Sequence, residues 1–299
     1  MGAPAVSVEF FLFLPQMRLD FDAITLRARA AEESGFRGIA LMDHLAPPMA
    51  EGTSMYEAMV VATWIAAQTE RLIIGHLVLC DALRHPAMLA KQAVTLDHAS
   101  GGRFELGLGW GSVPDELVRF GVTDDGPKGR VQRMGETLEV ISALWSGEPV
   151  SYDGECFRMT EAQQLPTPLG EIPILIGGSG PRTLELVSRH AQWWNLPVHQ
   201  LDRLERLRDR AGSARVSIQQ MVAYVPGEHD RAEVAELSGR RFGMMGGGLV
   251  LGNGAELVDH FAGLVDRGVE RFYVWFTDFA SPATLAGFGA EVISALAQP

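Results

Sequence analysis

The stretch that decides the fold runs from Arg84 to Gly111 and reads RHPAMLAKQAVTLDHASGGRFELGLGWG. It starts with a proline-led helical pattern that stops at Gly101-Gly102, a typical helix end. An apolar segment over 103–109 follows as a strand and leads into a second group of glycines. Glycine at a strand end lets a ligand or another backbone approach closely. The stretch therefore predicts a helix, a tight turn and a strand that ends at a binding site.

The same alternation of strand and helix patterns extends along the chain, which is typical of a parallel sheet with helical crossovers. The predicted strands are 7–14, 37–42, 72–79, 103–109, 173–176, 192–196, 216–224 and 271–276. The predicted helices are 21–34, 54–69, 86–99, 130–145, 181–191, 201–211, 232–242, 255–267 and 282–297. This pattern predicts an α/β fold, a (β/α)8 TIM barrel, as a single domain over residues 1–299.

Two segments depart from a minimal barrel. Residues 149–172 predict a hairpin with a turn at Asp153-Gly154, followed by a proline-rich approach to the fifth strand. Residues 243–254 are so rich in glycine that we expect a loop near the barrel mouth. Both are interpreted as insertions in the barrel.

Composition restricts the class of protein. The net charge of −12 argues against nucleic acid or an anionic membrane as the main partner. Two cysteines, Cys80 and Cys156, cannot form a disulfide framework or a zinc site by themselves. The apolar N-terminal segment 8–15 is too short to span a bilayer or act as a signal peptide, so a cytoplasmic protein without a membrane partner is expected. A homo-oligomer is compatible with this composition.

Active sites of such barrels lie just beyond the C-terminal ends of the strands. Asp43-His44 ends the second predicted strand and is the sharpest titratable pair there. Histidine exchanges protons near neutral pH, so His44 could act as a general acid or base. Alternatively, Asp43 caps the following loop and His44 packs in the core. The residues alone leave both interpretations open.

A second candidate follows the fifth predicted strand, where Gly177-Gly178-Ser179-Gly180 leads into a helix that begins at Pro181-Arg182. Free backbone N–H groups and the positive end of a helix dipole suit a phosphate. A simple strand-to-helix turn would have the same sequence. The segment is not the dinucleotide fingerprint, so NAD in a Rossmann domain is not predicted.

The motif Arg84–Gly111, within a wider match over 6–295, resembles the bacterial-luciferase-like flavin and F420-dependent oxidoreductases. This resemblance implies a (β/α)8 barrel that holds FMN or the deazaflavin F420 at its C-terminal face. It implies that His44 is the catalytic acid or base and that a cis peptide at Leu77–Val78 lies under the cofactor ring. The cofactor-binding residues that it implies are Asp43, His44, Val78, Cys80, Gly109, Trp110, Gly111, Gly177, Gly178, Ser179, Gly180, Pro181 and Arg182.

An F420-dependent enzyme that transfers hydride to or from a small organic substrate is the function this resemblance favours, because an Asp-His pair is typical of F420-dependent members. The alternatives are an FMN-dependent monooxygenase that uses O2 and a non-catalytic flavin-binding relative. Ser112 stands where one F420-dependent sugar dehydrogenase group has a catalytic glutamate, which argues against sugar-phosphate oxidation. Aromatic residues at the strands are assigned to the substrate pocket: Phe11, Phe13, Trp194 and Trp275. No metal site is predicted.

Overall fold

Ten parallel strands form one sheet in the computed structural model, which describes residues 8–48, 50, 52–243 and 248–296. The parallel strands are β1 (Glu9–Phe13), β2 (Gly38–Leu41), β3 (Ile73–His76), β4 (Leu79–Cys80), β5 (Leu106–Gly109), β8 (Ile174–Gly177), β9 (Trp193–Leu196), β10 (Arg215–Tyr224), β11 (Leu249–Gly252) and β12 (Arg271–Phe276). An antiparallel pair, β6 (Val150–Asp153) and β7 (Arg158–Ala162), forms the predicted hairpin.

Helices follow the strands in the order expected of a barrel. They are α1 (Phe21–Glu33), α2 (Ala58–Gln68), α3 (Pro86–Ser100), α4 (Pro114–Arg119), α5 (Gly126–Leu144), α6 (Pro181–His190), α7 (Leu204–Arg208), α8 (Arg231–Phe242), α9 (Gly254–Asp266), α10 (Pro282–Phe288) and α11 (Ser294–Leu296). A π-helical turn over 289–293 joins α10 to α11. The predicted helix 201–211 is present only as α7 between two 3-10 turns.

The sheet closes into a ring of eight strands. The order of its strands is β3-β2-β1-β12-β10-β9-β8-β5-β4, in which β3 and β4 together count as one strand. β11 pairs with β10 outside the ring. The backbone N–H of Ile74 donates to the carbonyl of Arg103 at 2.7 Å, and that of Glu105 donates to Ile74 at 2.9 Å. β3 and β4 are one barrel strand interrupted at the cis peptide Leu77–Val78. The predicted (β/α)8 barrel and its cis peptide are confirmed.

Several predicted elements and boundaries are wrong, among them the start of α2, which begins at Ala58 and not at residue 54. The glycine-rich segment 243–254 is not only a loop, because Leu249–Gly252 pairs with the end of β10; residues 244–247 lie outside the described residues. Pro114–Arg119 forms α4, which was not predicted. α5 begins at Gly126 rather than at residue 130.

The first strand shows how alternation divides the core. Phe10 and Leu12 pack outward against the helices, whereas Phe11 and Phe13 belong to a second apolar cluster that includes Ala40 and residues of other strands. Successive side chains of a strand point to opposite faces, so one strand serves both layers. Both faces of β1 are thus largely apolar, as expected of a strand in a parallel sheet covered by helices.

A buried ionic cluster closes the N-terminal end of the barrel. The guanidinium of Arg271, a residue that is 2% exposed, donates to both carboxylate oxygens of Glu105 at 2.7 Å and pairs with Glu9 at 2.7 Å. It also lies over the rings of Trp193 at 3.6 Å and Phe11 at 4.1 Å. The carboxylates and aromatic faces together compensate the desolvation of this cation.

His76, the last residue of β3, is a second buried polar group in the fold. It is 2% exposed, and neither ring nitrogen has a hydrogen-bond partner among the described residues. Burial lowers the pKa of His76 to about 4. The imidazole is therefore neutral in the folded protein at pH values where the unfolded chain already binds a proton.

Replacing His76 with leucine is expected to flatten the dependence of stability on pH. Because the folded pKa lies below the unfolded value, His76 lowers the stability progressively as the pH falls from about 6.5 to about 4. Between about pH 7 and about pH 4.5, the wild type should lose about 2 kcal/mol more than His76→Leu. Urea unfolding at both pH values measures this difference.

Wild type must be compared with His76→Leu, because Asp81 changes the stability with pH in the opposite direction from His76. Burial raises the pKa of Asp81 to about 6, so its contribution to stability decreases as the pH rises through about the same window. Asp81 is common to both proteins and cancels in the difference. Equal losses of stability in wild type and variant would show that His76 is already protonated in the folded state.

Candidate active site

The C-terminal ends of the strands surround a cavity of about 860 Å³, a size typical of small-molecule sites. The structure brings most of the predicted site residues together there. The predicted residues that line the cavity are Phe13, Asp43, His44, Val78, Cys80, Gly109, Trp110, Gly111, Gly177, Gly178, Ser179, Gly180 and Trp275.

Four predicted residues do not line this cavity. Phe11 lies in the layer beneath Arg271 at the opposite end of the barrel. Trp194 faces the helices and is fully buried, and its indole N–H donates to the carbonyl of Gly178 at 2.7 Å. Pro181 and Arg182 are exposed in the first turn of α6, and Arg182 borders a separate groove beside the hairpin. Phe11 and Trp194 are therefore core residues, and the assignment of these two to the substrate pocket is corrected.

His44 is held by a carboxylate from α4. Its Nδ1 lies 2.8 Å from Oε2 of Glu116, while Oε1 of Glu116 accepts hydrogen bonds from the backbone N–H groups of Leu45 at 2.6 Å and Ala46 at 3.0 Å. Glu116 is 8% exposed. A carboxylate bound to Nδ1 fixes the ring and leaves Nε2 as the nitrogen that can exchange a proton with a ligand.

Asp43 has a different set of contacts. Its carboxylate accepts two hydrogen bonds from the guanidinium of Arg84 and one from the backbone N–H of Cys80 at 2.7 Å. Arg84 also pairs with Glu57 at 2.7 Å. Asp43 therefore ties the end of β2 to β4 and to the loop before α3, while one side of it lines the cavity. Asp43 thus lies at the cavity, where it was predicted, and it also holds the neighbouring segments together.

Cys80, one of the predicted cofactor-binding residues, lines the cavity. Burial raises the pKa of its thiol to about 11, so the group stays protonated at neutral pH. A protonated thiol is a poor nucleophile. Cys80 therefore forms part of the cavity wall, and its thiol is not activated as a nucleophile.

Glycines leave room for Val78 in this wall. A Cβ at Gly109 would lie 2.5 Å from Cγ2 of Val78, and one at Gly177 would lie 3.7 Å from Cγ1. The side chain of Val78 thus occupies the space that larger residues at these strand ends would fill. The result is an apolar surface beside bare backbone, which suits a planar ring.

The glycine turn after β8 meets the cavity at the N-terminus of α6. Gly178 has φ +126°, a conformation that favours glycine, and its N–H donates to the carbonyl of Asn195 at 3.0 Å. Ser179 Oγ donates to Gln200 at 2.5 Å. Gly180 is the N-cap of α6, and both Gly180 and Thr183 line the cavity. A helix N-terminus with hydroxyl groups beside it suits a phosphate.

We expect Gly180→Val to weaken cofactor binding by about tenfold or more without unfolding the protein. A Cβ at Gly180 meets only Thr183 Oγ1, at 3.7 Å, and φ is −69°, so the backbone can hold a side chain. The branched group would instead fill the space where a phosphate approaches. Dissociation constants for F420 and FMN measure the effect.

The matched control for this prediction is Gly263→Ala in α9, where an added Cβ meets nothing within 4 Å. It should leave the dissociation constants unchanged. Native circular dichroism is required of both variants. If Gly180→Val binds both cofactors as the wild type does, the turn is only a connection between strand and helix.

Comparison with known proteins identifies the family of this chain. A family model described as luciferase-like monooxygenase matches residues 8–226. The chain belongs to that family.

Among curated relatives, an F420-dependent glucose-6-phosphate dehydrogenase from Microbacterium testaceum is 36% identical over 181 residues, covering 60% of this chain and 52% of the relative. An F420-dependent hydroxymycolic acid dehydrogenase from Mycobacterium tuberculosis is 34% identical over 175 residues, covering 58% and 48%. The chain thus spans about half the length of these relatives.

Solved structures share the barrel over nearly the whole chain. An F420-dependent secondary alcohol dehydrogenase with an F420-acetone adduct has a TM-score of 0.82 at 16% identity, covering 98% of this chain and all of the other (100%). The F420-dependent tetrahydromethanopterin reductase from Methanopyrus kandleri has a TM-score of 0.79 at 19% identity, covering 97% and 99%. A monooxygenase from Streptomyces bottropensis has 0.79 at 18%, covering 96% and 99%. These likenesses show the fold of this luciferase-like protein.

Glu116 is the site residue that sequence reasoning missed. The signal was present, because Pro114 followed by Asp115 and Glu116 is a typical helix start with acidic residues in the first turn. Its contact with His44 spans 72 residues of sequence and could not be read from the pattern.

In the part of the chain that the structure describes, no group of three His, Cys, Asp or Glu side chains could hold a metal ion. Over the same residues, no helix is both long and apolar enough to cross a membrane.

Proposed function

We propose that this luciferase-like protein is an F420-dependent oxidoreductase that transfers hydride to or from a small organic substrate. The observation that carries the proposal is His44, held by a buried carboxylate on the wall of a cavity that also contains a glycine turn at a helix N-terminus. The curated relatives named as F420-dependent dehydrogenases support the choice of F420.

The residues present fit such a cofactor. Val78 and the glycines beside it would contact the ring, and the turn Gly178–Gly180 with Thr183 would hold its phosphate. F420, when bound, supplies a deazaflavin ring that accepts or donates a hydride. Asp43 and its pair with Arg84 would keep the end of β2 beside that ring.

His44 would move the proton that accompanies the hydride. In the oxidation of an alcohol, His44 Nε2 would accept the proton of the substrate's hydroxyl group. Glu116 keeps the imidazole oriented and stabilises the imidazolium that forms. In the reverse direction, the same nitrogen returns the proton to the carbonyl oxygen of the substrate.

Titration with F420 and with FMN tests the cofactor. We expect F420 to bind more tightly than FMN at low salt. A saturable change in absorbance or fluorescence reports the formation of each complex. Because F420 has an acidic tail, its binding should weaken with salt if cations such as Arg182 contact that tail. Tighter binding of FMN at every ionic strength, with O2 consumed by reduced FMN and an organic substrate, would replace this proposal by a monooxygenase. Binding without turnover of any substrate would favour a non-catalytic flavin-binding protein.

We also propose that the chain forms a homo-oligomer. Large apolar side chains are exposed on neighbouring helices, namely Val60 and Trp64 on α2 and Leu26 on α1. Contiguous exposed apolar groups are typical of protein interfaces. The molar mass in solution, measured by light scattering, tests this; a value near 32.5 kDa would mean a monomer.

A further inference from the structure

The active-site cavity has two histidines, His44 and His199, as the basic side chains on its described wall. Among the described residues that line it, none is a lysine or an arginine. The positions outside the described residues contain none of the chain's 25 lysines and arginines either. The fixed charges on the described wall are the carboxylates of Asp43 and Glu116, and both are negative.

Arg84 and Arg130 lie just behind this wall and are already paired, and Arg203 donates a hydrogen bond to Gln200 of the wall. Arg84 has a side chain that is 9% exposed and binds the carboxylates of Asp43 and Glu57. Arg130 is 5% exposed, pairs with Asp124 at 3.2 Å and lies 4.9 Å from the ring centroid of Trp110. Neither guanidinium can turn to a ligand without breaking a buried or half-buried ion pair, which is costly.

The rest of the wall offers mainly apolar contact. Three methionines, Met17, Met42 and Met221, line the cavity together with the rings of Phe13 and Trp275. Methionine adapts to ligands of varied shape, and aromatic rings contribute large contact areas. The neutral polar groups of the glycine turn are assigned above to the cofactor phosphate, and other polar side chains on the described wall, such as Ser112, Asn195 and Gln219, carry no charge.

We propose that the substrate is an uncharged, largely apolar alcohol or carbonyl compound, and that phosphorylated substrates are excluded. This inference rests on the proposed function, because it names the substrate class of the same site. A phosphate in this cavity would lose its hydration without gaining a lysine or arginine as a partner, and it would face two carboxylates. The chain would then differ from its relatives named glucose-6-phosphate dehydrogenases in substrate class.

A matched pair of ligands tests the inference. Cyclohexanol, a cyclohexanediol and the monophosphate ester of that diol are titrated into protein loaded with F420, and the diol and its ester differ only by the phosphate. We expect the ester to bind about 100-fold more weakly than the diol. Reduction of F420 should be seen with cyclohexanol and not with glucose 6-phosphate.

Variants that add a cation sharpen this test. Met17→Lys places an ammonium on an unbranched side chain of similar length, and Met17→Gln is the uncharged control. The lysine variant should bind the monophosphate about tenfold more tightly than wild type, and the glutamine variant should not. Val113→Lys, on another part of the wall, replaces Met17→Lys if that variant fails to fold.

The outcomes separate this inference from the proposed function. Absence of F420 binding contradicts the proposed function alone, because the same ligands are also titrated into cofactor-free protein and followed by the fluorescence of Trp110 and Trp275. Preference for the neutral ligand in either form supports the inference. Wild-type protein that binds the monophosphate as tightly as the diol overturns the inference; this is measured in the loaded form if F420 binds and in the cofactor-free form if it does not.

Discussion

Replacing His44 with asparagine will lower turnover by about 100-fold or more and change F420 binding by only a small factor. The imidazole exchanges the proton in the proposed reaction, and asparagine has no group that can do so near neutral pH. The cavity wall around residue 44 is otherwise preserved. Steady-state turnover with a substrate found by screening, together with the F420 dissociation constant, measures both quantities.

Glu116 provides the comparison that separates orientation from proton transfer. Glu116→Gln keeps hydrogen-bonding atoms of similar shape but removes the negative charge, so turnover should fall by about tenfold or more, less than in His44→Asn. Glu116→Ala also loses the bonds to Leu45 and Ala46 and should be worse than Glu116→Gln. Wild-type turnover in His44→Asn would disprove the acid-base role of His44.

Replacing Arg271 with methionine will lower the free energy of unfolding by about 3–5 kcal/mol. The variant leaves the carboxylates of Glu105 and Glu9 without their shared cation, and Glu105 is 3% exposed. It also loses the contacts of the guanidinium with the rings of Trp193 and Phe11. Urea unfolding followed by far-UV circular dichroism gives the value.

The control for this effect is an exposed ion pair. Arg158 lies 2.8 Å from Asp153, and both side chains are more than 80% exposed, at 81% and 83%. Arg158→Met should therefore cost less than about 1 kcal/mol. Adding Glu105→Gln to Arg271→Met should restore part of the loss, because it removes an unpaired buried charge. A cost for Arg271→Met as small as that of Arg158→Met would mean that the cluster contributes little to stability.

The barrel could be predicted because its strands are short apolar runs separated by helical patterns of ordinary length. The strand ends could be predicted as well, and these ends position Asp43, His44 and the glycine turn. What could not be predicted is how deep a side chain lies in the barrel. Phe11 and Phe13 share one face of β1, yet Phe11 packs under Arg271 and only Phe13 reaches the cavity.

The face of the strand to which a side chain points could not be predicted either. Both faces of a parallel barrel strand are apolar, so the sequence Trp193-Trp194 does not say which ring points inward. The structure places Trp193 inside and Trp194 among the helices. Arg84, at the start of the motif, binds Asp43, and this contact joins residues 41 positions apart. Local pattern carries no information on such pairings.

The position of α4 has a consequence for how this protein could acquire new substrates. Ser112 and Val113 contact whatever occupies the cavity, and Glu116, a few residues later in the same short segment, orients His44. An insertion or deletion here would alter the choice of substrate and the alignment of the proton-transferring imidazole at once. Evolution and engineering alike have a freer route at Met221, which lines the cavity from β10, a strand that adjoins neither His44 nor α4.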